Sequence, residues 1–389
     1  MRRLSTQLIF GGLLLGLAGC GNAPPAPSAQ DVAGVSSIPV TGLSDAAFAT
    51  LVERVSEEGG FFDTDNLISN ETGFLTVMDV LADPARRGGG YIGVGPDQNY
   101  SYLAQLEPEL VFLTDIRRDN LLHHLLLKAL IERAPTRIEF LAGLHGVEAP
   151  TSPSDWVERP LAEIVDWIDG QTSQGNEVLA LRGDIQRAVL SWGLDISEDD
   201  LATIARFHDT FVRAGLSLRF TTFGRPPRPY YPTNRQLMLE MDFDGDRASY
   251  VSSPEAYQSL RRLHLENRII PVVGDLSGPT ALREIGAVFS EVGIQLNAIY
   301  TSNVEFYLWR GGTFPAWVEN LRTVPASEDA VVIRSVFPNG GGVHPSAVRR
   351  YYSTQTLQSV ETLLDSDFTS YRDVVTRDVL GLAPVGAGR

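Results

Sequence analysis

The sequence predicts an α/β fold: a Rossmann-like, mostly parallel sheet covered by helices and interrupted by a helical insertion. Three observations carry this. Short apolar runs alternate with helical patterns over residues 91–132 and again over 268–337. Parallel strands need crossovers, and the favoured crossover is a right-handed helical one. Between the two series, residues 155–267 are mostly helical in pattern.

The elements follow in chain order. Ser44-Asp45-Ala46-Ala47 opens a helix through about Glu57, with Phe48, Leu51 and Val52 on its apolar stripe and Gly59-Gly60 as its stop. Phe74 to Leu81 is too short for periodicity to separate helix from buried strand, and helix is favoured. YIGVG at 91–95 reads as a strand, 100–106 as a helix, LVFLTD at 110–115 as a strand and LLHHLLLKALIE at 121–132 as a helix. The second series runs RIIPVVGD, ALREIGAVFSEVG, QLNAIYTS, VEFYLWRGGTFPAWVENL and AVVIRSVF. Within the insertion, Ser197 with Asp200 three residues on marks a helix start, and Ser253 before Pro254 marks another that runs to about Glu266. GRPPRPYYPTN at 224–234, with four prolines, is a loop. It reads either as a plain connection or as a ligand-facing lid bearing Tyr230 and Tyr231.

Composition narrows the function. With 48 acidic and 32 basic side chains the 389-residue chain has a formal charge of −16, which disfavours a broad nucleic-acid surface. No nucleic-acid partner is expected. Residues 1–20, MRRLSTQLIFGGLLLGLAGC, place two arginines before an apolar run that ends in small residues and a cysteine. The segment is a secretory signal, and it resembles a bacterial lipoprotein signal peptide and lipobox. That resemblance implies removal of residues 1–19 and lipid, palmitate included, on Cys20. It implies a lipid-anchored protein of the bacterial cell envelope, periplasmic or surface-exposed, whose partners are the membrane and an unknown small ligand or envelope protein. Residues 20–43 then form a tether, and 44–389 the folded body. Cys20 is the single cysteine, so no intramolecular disulfide or cysteine metal site can form.

Candidate site residues gather at strand ends. Gly93-Val94-Gly95 follows a strand and precedes a helix, so backbone can approach a ligand there, with Asp97 beside it. Asp115 ends the next strand, 20 residues after Gly95, the spacing at which an acid accepts hydrogen bonds from both ribose hydroxyls of a nucleotide-like cofactor. Arg117 stands beside Asp115 to meet a carboxylate or phosphate. Asp275, Asn303 and Glu305 follow later strands, where they can orient a substrate or receive a proton. Asn70 and Glu71 can fold over the same edge and contact substrate, as can Tyr230 and Tyr231. Helix capping and tight packing are the competing roles for each of these residues. His123-His124 do not share a face and no HExxH occurs, and Arg247 stands where an EF-hand loop starting at Asp242 needs glycine, so no metal is expected.

On these residues the chain resembles class I S-adenosylmethionine-dependent methyltransferases: Gly93 and Gly95 match the glycine-rich turn, and Asp115 the ribose-binding acid. It is also similar to an uncharacterised bacterial family of methyltransferase-like proteins through SNETGFL, GVGPDQNYSYL, TDIRRDNLLHHLLLKAL, VVGDLSGPTAL and YTSNVEFYL. The resemblance implies a sheet of the class I methyltransferase type, S-adenosylmethionine held by Gly93, Gly95, Asp97, Asp115 and Arg117, and an acceptor positioned by Asp275, Asn303 or Glu305. Asp97 replaces a third glycine, and Tyr91 stands where an acid often precedes the turn. The alternative is a catalytically inactive ligand- or protein-binding lipoprotein on the same scaffold.

Overall fold

The computed structural model describes residues 42–173, 175–338 and 343–380. Cys20, the signal segment and the tether up to residue 41 lie outside the described residues.

Six strands form one sheet: β1 (Gly90–Val94), β2 (Leu110–Asp115), β3 (Ile269–Val273), β4 (Leu296–Ser302), β5 (Ala326–Val336) and β6 (Thr354–Ser359). Their order is β3-β2-β1-β4-β5-β6. The first five run parallel, and β6 is antiparallel to β5. The expectation of an α/β body with a mostly parallel sheet is met. Every residue of β1 and β3 is buried. Successive side chains in a strand point to opposite faces, so both faces of the sheet are covered.

The covering helices fall into two sets that pack among themselves. Asp45–Val55, Ala281–Val292, Phe314–Leu321 and Val360–Asp365 form one; Gln98–Leu106, Arg118–Arg133 and Pro254–Leu265 form the other. The first helix begins where expected, with the Ser44 hydroxyl accepting from the Ala47 amide at 3.2 Å. Phe74–Leu81 is helical, a 3-10 turn followed by an α turn.

β6 has no counterpart in the sequence reading, for a physical reason. Its buried side chains include Gln355, Thr356 and Gln358, which carry no apolar alternation. Hydrogen bonds replace water for the two glutamine amides: Gln355 Nε2 donates to Glu71 Oε2 at 2.9 Å, and Gln358 Nε2 to the carbonyls of Val374 and Arg377, at 3.3 and 2.6 Å.

Between β2 and β3 the chain makes the helices Leu161–Asp169, Gly175–Ser191 and Glu198–Ala214. Ser197 and Asp200 form a reciprocal capping box at the last of these. Arg118 reaches across to Asp200 with two contacts of 2.9 Å, which holds the Asp200 carboxyl down at about 2. Pro254–Leu265, the last helix of the predicted insertion, packs on Gln98–Leu106 and Arg118–Arg133 and leads into β3, so it belongs to the sheet's own cover. The Ser253 hydroxyl accepts from the Ala256 amide at 3.1 Å. Ser253→Ala should therefore lower stability by about 1 kcal/mol, read as a shift in the urea midpoint at unchanged slope.

Candidate functional site

In an open α/β sheet a ligand site forms where strands wind away in opposite directions, beyond their carboxyl ends. Here the reversal lies between β1 and β4. A cleft of about 550 Å³ opens there, bordered by the ends of β1 to β4, the segment from Phe62 to Glu71 and the loop from Phe220 to Tyr231. Those last two segments are joined. Phe223 N–H donates to Asp63 O at 2.7 Å, Thr64 Oγ1 to Thr221 O at 2.6 Å, and Arg225 pairs with Asp63 at 2.6 Å.

The glycine turn divides into two roles. A Cβ on Gly93 would lie 1.9 Å from Asn99 Oδ1. That oxygen accepts from Tyr91 Oη at 2.9 Å, while Asn99 Nδ2 donates to Val94 O and Pro96 O. Gly93 is thus required by packing behind the turn and does not border the cleft. Gly95 does border it. Its φ is +79°, in the left-handed region, and Asn66 Nδ2 at 3.3 Å is the one atom near the direction a side chain would take. His124 Nε2 donates to Gly95 O at 2.9 Å, so Nδ1 is the acceptor for Tyr100 Oη, also at 2.9 Å. Burial lowers the His124 imidazole to about 4, keeping it neutral for that arrangement.

Asp97 turns away from the cleft. Its carboxylate accepts from Tyr250 Oη at 2.7 Å and borders a separate small pocket. Desolvation pushes its carboxyl up to about 6.

Asp115 and Arg117 both border the cleft, and they are bonded to each other. Arg117 reaches Asp115 through its backbone N–H, Nε and Nη2 at 3.0, 3.1 and 2.9 Å, and donates from Nη1 to Thr64 O.

The three residues offered for positioning an acceptor are separated. Asp275 lies two residues past Val273, which pairs with Asp115 across the sheet. It is therefore on the β2–β3 side. Three strand spacings separate the ends of β3 and β4, about 14 Å. Asp275 Oδ1 caps its own turn, accepting from Ser277 N–H and Oγ at 2.8 and 2.9 Å. Asn303 stays at the cleft beside Ser302. Glu305 does not: it is 1% exposed, ion-paired with Arg334 of β5 and bonded by Trp317 Nε1 at 3.1 Å. The helix that starts at Val304 carries it into the interior, where it meets a buried guanidinium.

Asn70 and Glu71 fold over the strand ends as expected. Glu71 is 2% exposed and accepts five hydrogen bonds. Oε2 receives Gln98 Nε2 at 2.7 Å, Tyr300 Oη at 2.6 Å, Gln355 Nε2 at 2.9 Å and Ser335 Oγ; Oε1 receives Ser302 Oγ. Tyr231 borders the cleft and is buried, while Tyr230 is half exposed, packs on Tyr352 at 4.7 Å and stands outside.

Cleft residues that the sequence did not single out as site candidates include Phe62, Asn66, Ser302 and Tyr307. Ser302 carries a signal only the backbone shows, a φ of +50° in a non-glycine residue. Among the described residues no group of three His, Cys, Asp or Glu is arranged to hold a metal.

The Asp97 carboxyl gives a pH test. With a folded value of about 6 against about 3.9 unfolded, the folded state holds this proton more tightly. Its favourable contribution is complete below the unfolded value and is lost as pH rises through about 6. Asp97→Asn keeps an acceptor for Tyr250 and should remove that limb from a plot of melting temperature against pH between 4 and 7.

No curated protein matches the chain. A family described as a domain of unknown function, DUF7790, matches residues 67–165 and 225–380. The match takes in all six strands and the candidate residues from Asn70 to Asn303. It omits the stretch that holds helices Gly175–Ser191 and Glu198–Ala214, together with Phe62 and Phe220 of the cleft walls. Matched over well over half its length, the chain belongs to the DUF7790 family.

Proposed function

We propose that this is a methyltransferase-like protein of the bacterial cell envelope that binds S-adenosylmethionine in the cleft, its sheet being of the class I methyltransferase type. The observation that carries the reading is the meeting, at one switch point, of the bare Gly95 backbone and the Asp115 carboxylate. A glycine turn and an acid on the next strand suit a nucleoside ligand.

The residues present fit such a ligand. Asp115 would accept from ribose hydroxyls with the lone pairs that Arg117 leaves free. Asp275 Oδ2, with no hydrogen bond from its own turn, suits an exocyclic amine on the same side. Bound, the ligand would supply an electrophilic methyl group. This chain's residues would orient the partners, and orientation alone lowers the barrier of such a transfer. Asn303 and Asn70, at the β4 side, would position an acceptor.

One observation favours a second reading, a catalytically inactive ligand- or protein-binding lipoprotein. Arg117 already engages both oxygens of Asp115.

Calorimetric titration of the purified protein with S-adenosylmethionine should show binding that Asp115→Ala weakens by at least tenfold. No heat at millimolar ligand would sink the cofactor reading. Binding without methyl transfer to envelope extracts would leave the second one. The lipid anchor has its own test: metabolic labelling with radioactive palmitate should mark the wild type and not Cys20→Ala, and an unlabelled wild type would refute lipidation.

A further inference from the structure

We propose that the β4 end of the cleft binds an organic cation, an amine or other onium group, with the Glu71 carboxylate as its counter-charge. Four carboxylates border the cleft. Asp63 is paired with Arg225 and Asp115 with Arg117. Asp275 lies at the far side, in the turn after β3. Glu71 is different: its five hydrogen-bond donors are two amides, a phenol and two serine hydroxyls, all neutral. Neutral donors solvate a carboxylate but leave its charge uncancelled, and a buried charge acts over a longer range than one in water.

Ser302 transmits a directional preference. Its hydroxyl donates to Glu71 Oε1, so what it can offer a ligand is lone pairs. A ligand N–H or O–H is accepted there and a ligand carboxylate is not. The positive φ of Ser302 costs backbone strain, and such strain persists where surrounding contacts hold it. Here the contact is Glu71.

The walls fit the same class. Phe62 meets Tyr307 edge-on at 5.4 Å and Phe220 meets Tyr231 edge-on at 5.4 Å, and all four rings border the cleft. Aromatic faces attract ammonium and onium groups within about 6 Å. Tyr231 already receives a cation in this way, with the Arg228 guanidinium 5.9 Å from its ring. The single Glu71 carboxylate suits a diffuse organic cation better than a compact metal ion, which needs several oxygen ligands.

This inference goes beyond the proposed function and does not require it. The onium group can belong to the adenosyl ligand itself or to a separate amine, and the experiment distinguishes these. Full-length protein in detergent is titrated with butylammonium, butanol and butyrate, followed by ligand-observed NMR. Butylammonium should bind at least tenfold more tightly than either of the others, and Glu71→Gln should remove that advantage. Ser302→Ala, which keeps the carboxylate, should weaken butylammonium several-fold; it serves as the test if the melting temperature shows that Glu71→Gln is unfolded. Equal binding of the three probes, or a preference unchanged in a folded Glu71→Gln or in Ser302→Ala, would overturn the proposal. Repeating the titration with saturating S-adenosylmethionine assigns the source. Competition points to the adenosyl ligand's own onium group, and unchanged affinity to a separate amine. A protein that ignores S-adenosylmethionine but prefers butylammonium would refute the cofactor reading alone.

Discussion

The floor of the cleft depends on one carboxylate. Glu71 arrives from the segment before β1 and receives hydrogen bonds from the helix after β1, from β4, from β5 and from β6. No other side chain described here joins so many elements at the strand ends. Charge-assisted hydrogen bonds are about twice as strong as neutral ones, so the arrangement fixes the relative heights of these ends. The cost is a desolvated charge, offset by five donors, four on Oε2 and one on Oε1. One polar residue of β6 is explained by the same constraint: Gln355 is a donor to Glu71.

A second constraint operates one strand away. The Gly95 carbonyl is braced by His124, and His124 by Tyr100. Neighbouring Asn99 ties Val94 and Pro96 to Tyr91. The turn is therefore rigid before any ligand arrives, which lowers the ordering cost of binding. Residues that read as candidate ligand contacts, Gly93 and Asp97 among them, prove to serve this scaffold.

The parallel strands were legible because each contains a short apolar run between helical patterns. The glycine turn, Asp115, and the folding of Asn70 and Glu71 over the strand ends were legible too. What could not be read was direction. Glu305 and Asn303 are two residues apart, yet the onset of the helix at Val304 sends one to a buried arginine and leaves the other at the cleft. Asp275 is a strand-end acid like the rest, but strand order, which a sequence does not state, puts it three strands from Asn303. Arg117 and Arg118 look equivalent as a pair, and they serve Asp115 and Asp200 separately. Phe62 and Phe220 lie outside any strand pattern and are brought together only by long-range contacts.

The chain enters the folded body at a telling place. Leu43 N–H donates to Glu266 O, and Asn267 Nδ2 to Leu43 O at 3.1 Å, just ahead of the first residue of β3. The cleft lies at the other end of that strand, about 16 Å away for five residues. Mechanical load applied through the upstream chain therefore reaches the body at the amino edge of the sheet. The Leu43, Glu266 and Asn267 contacts are the first it meets.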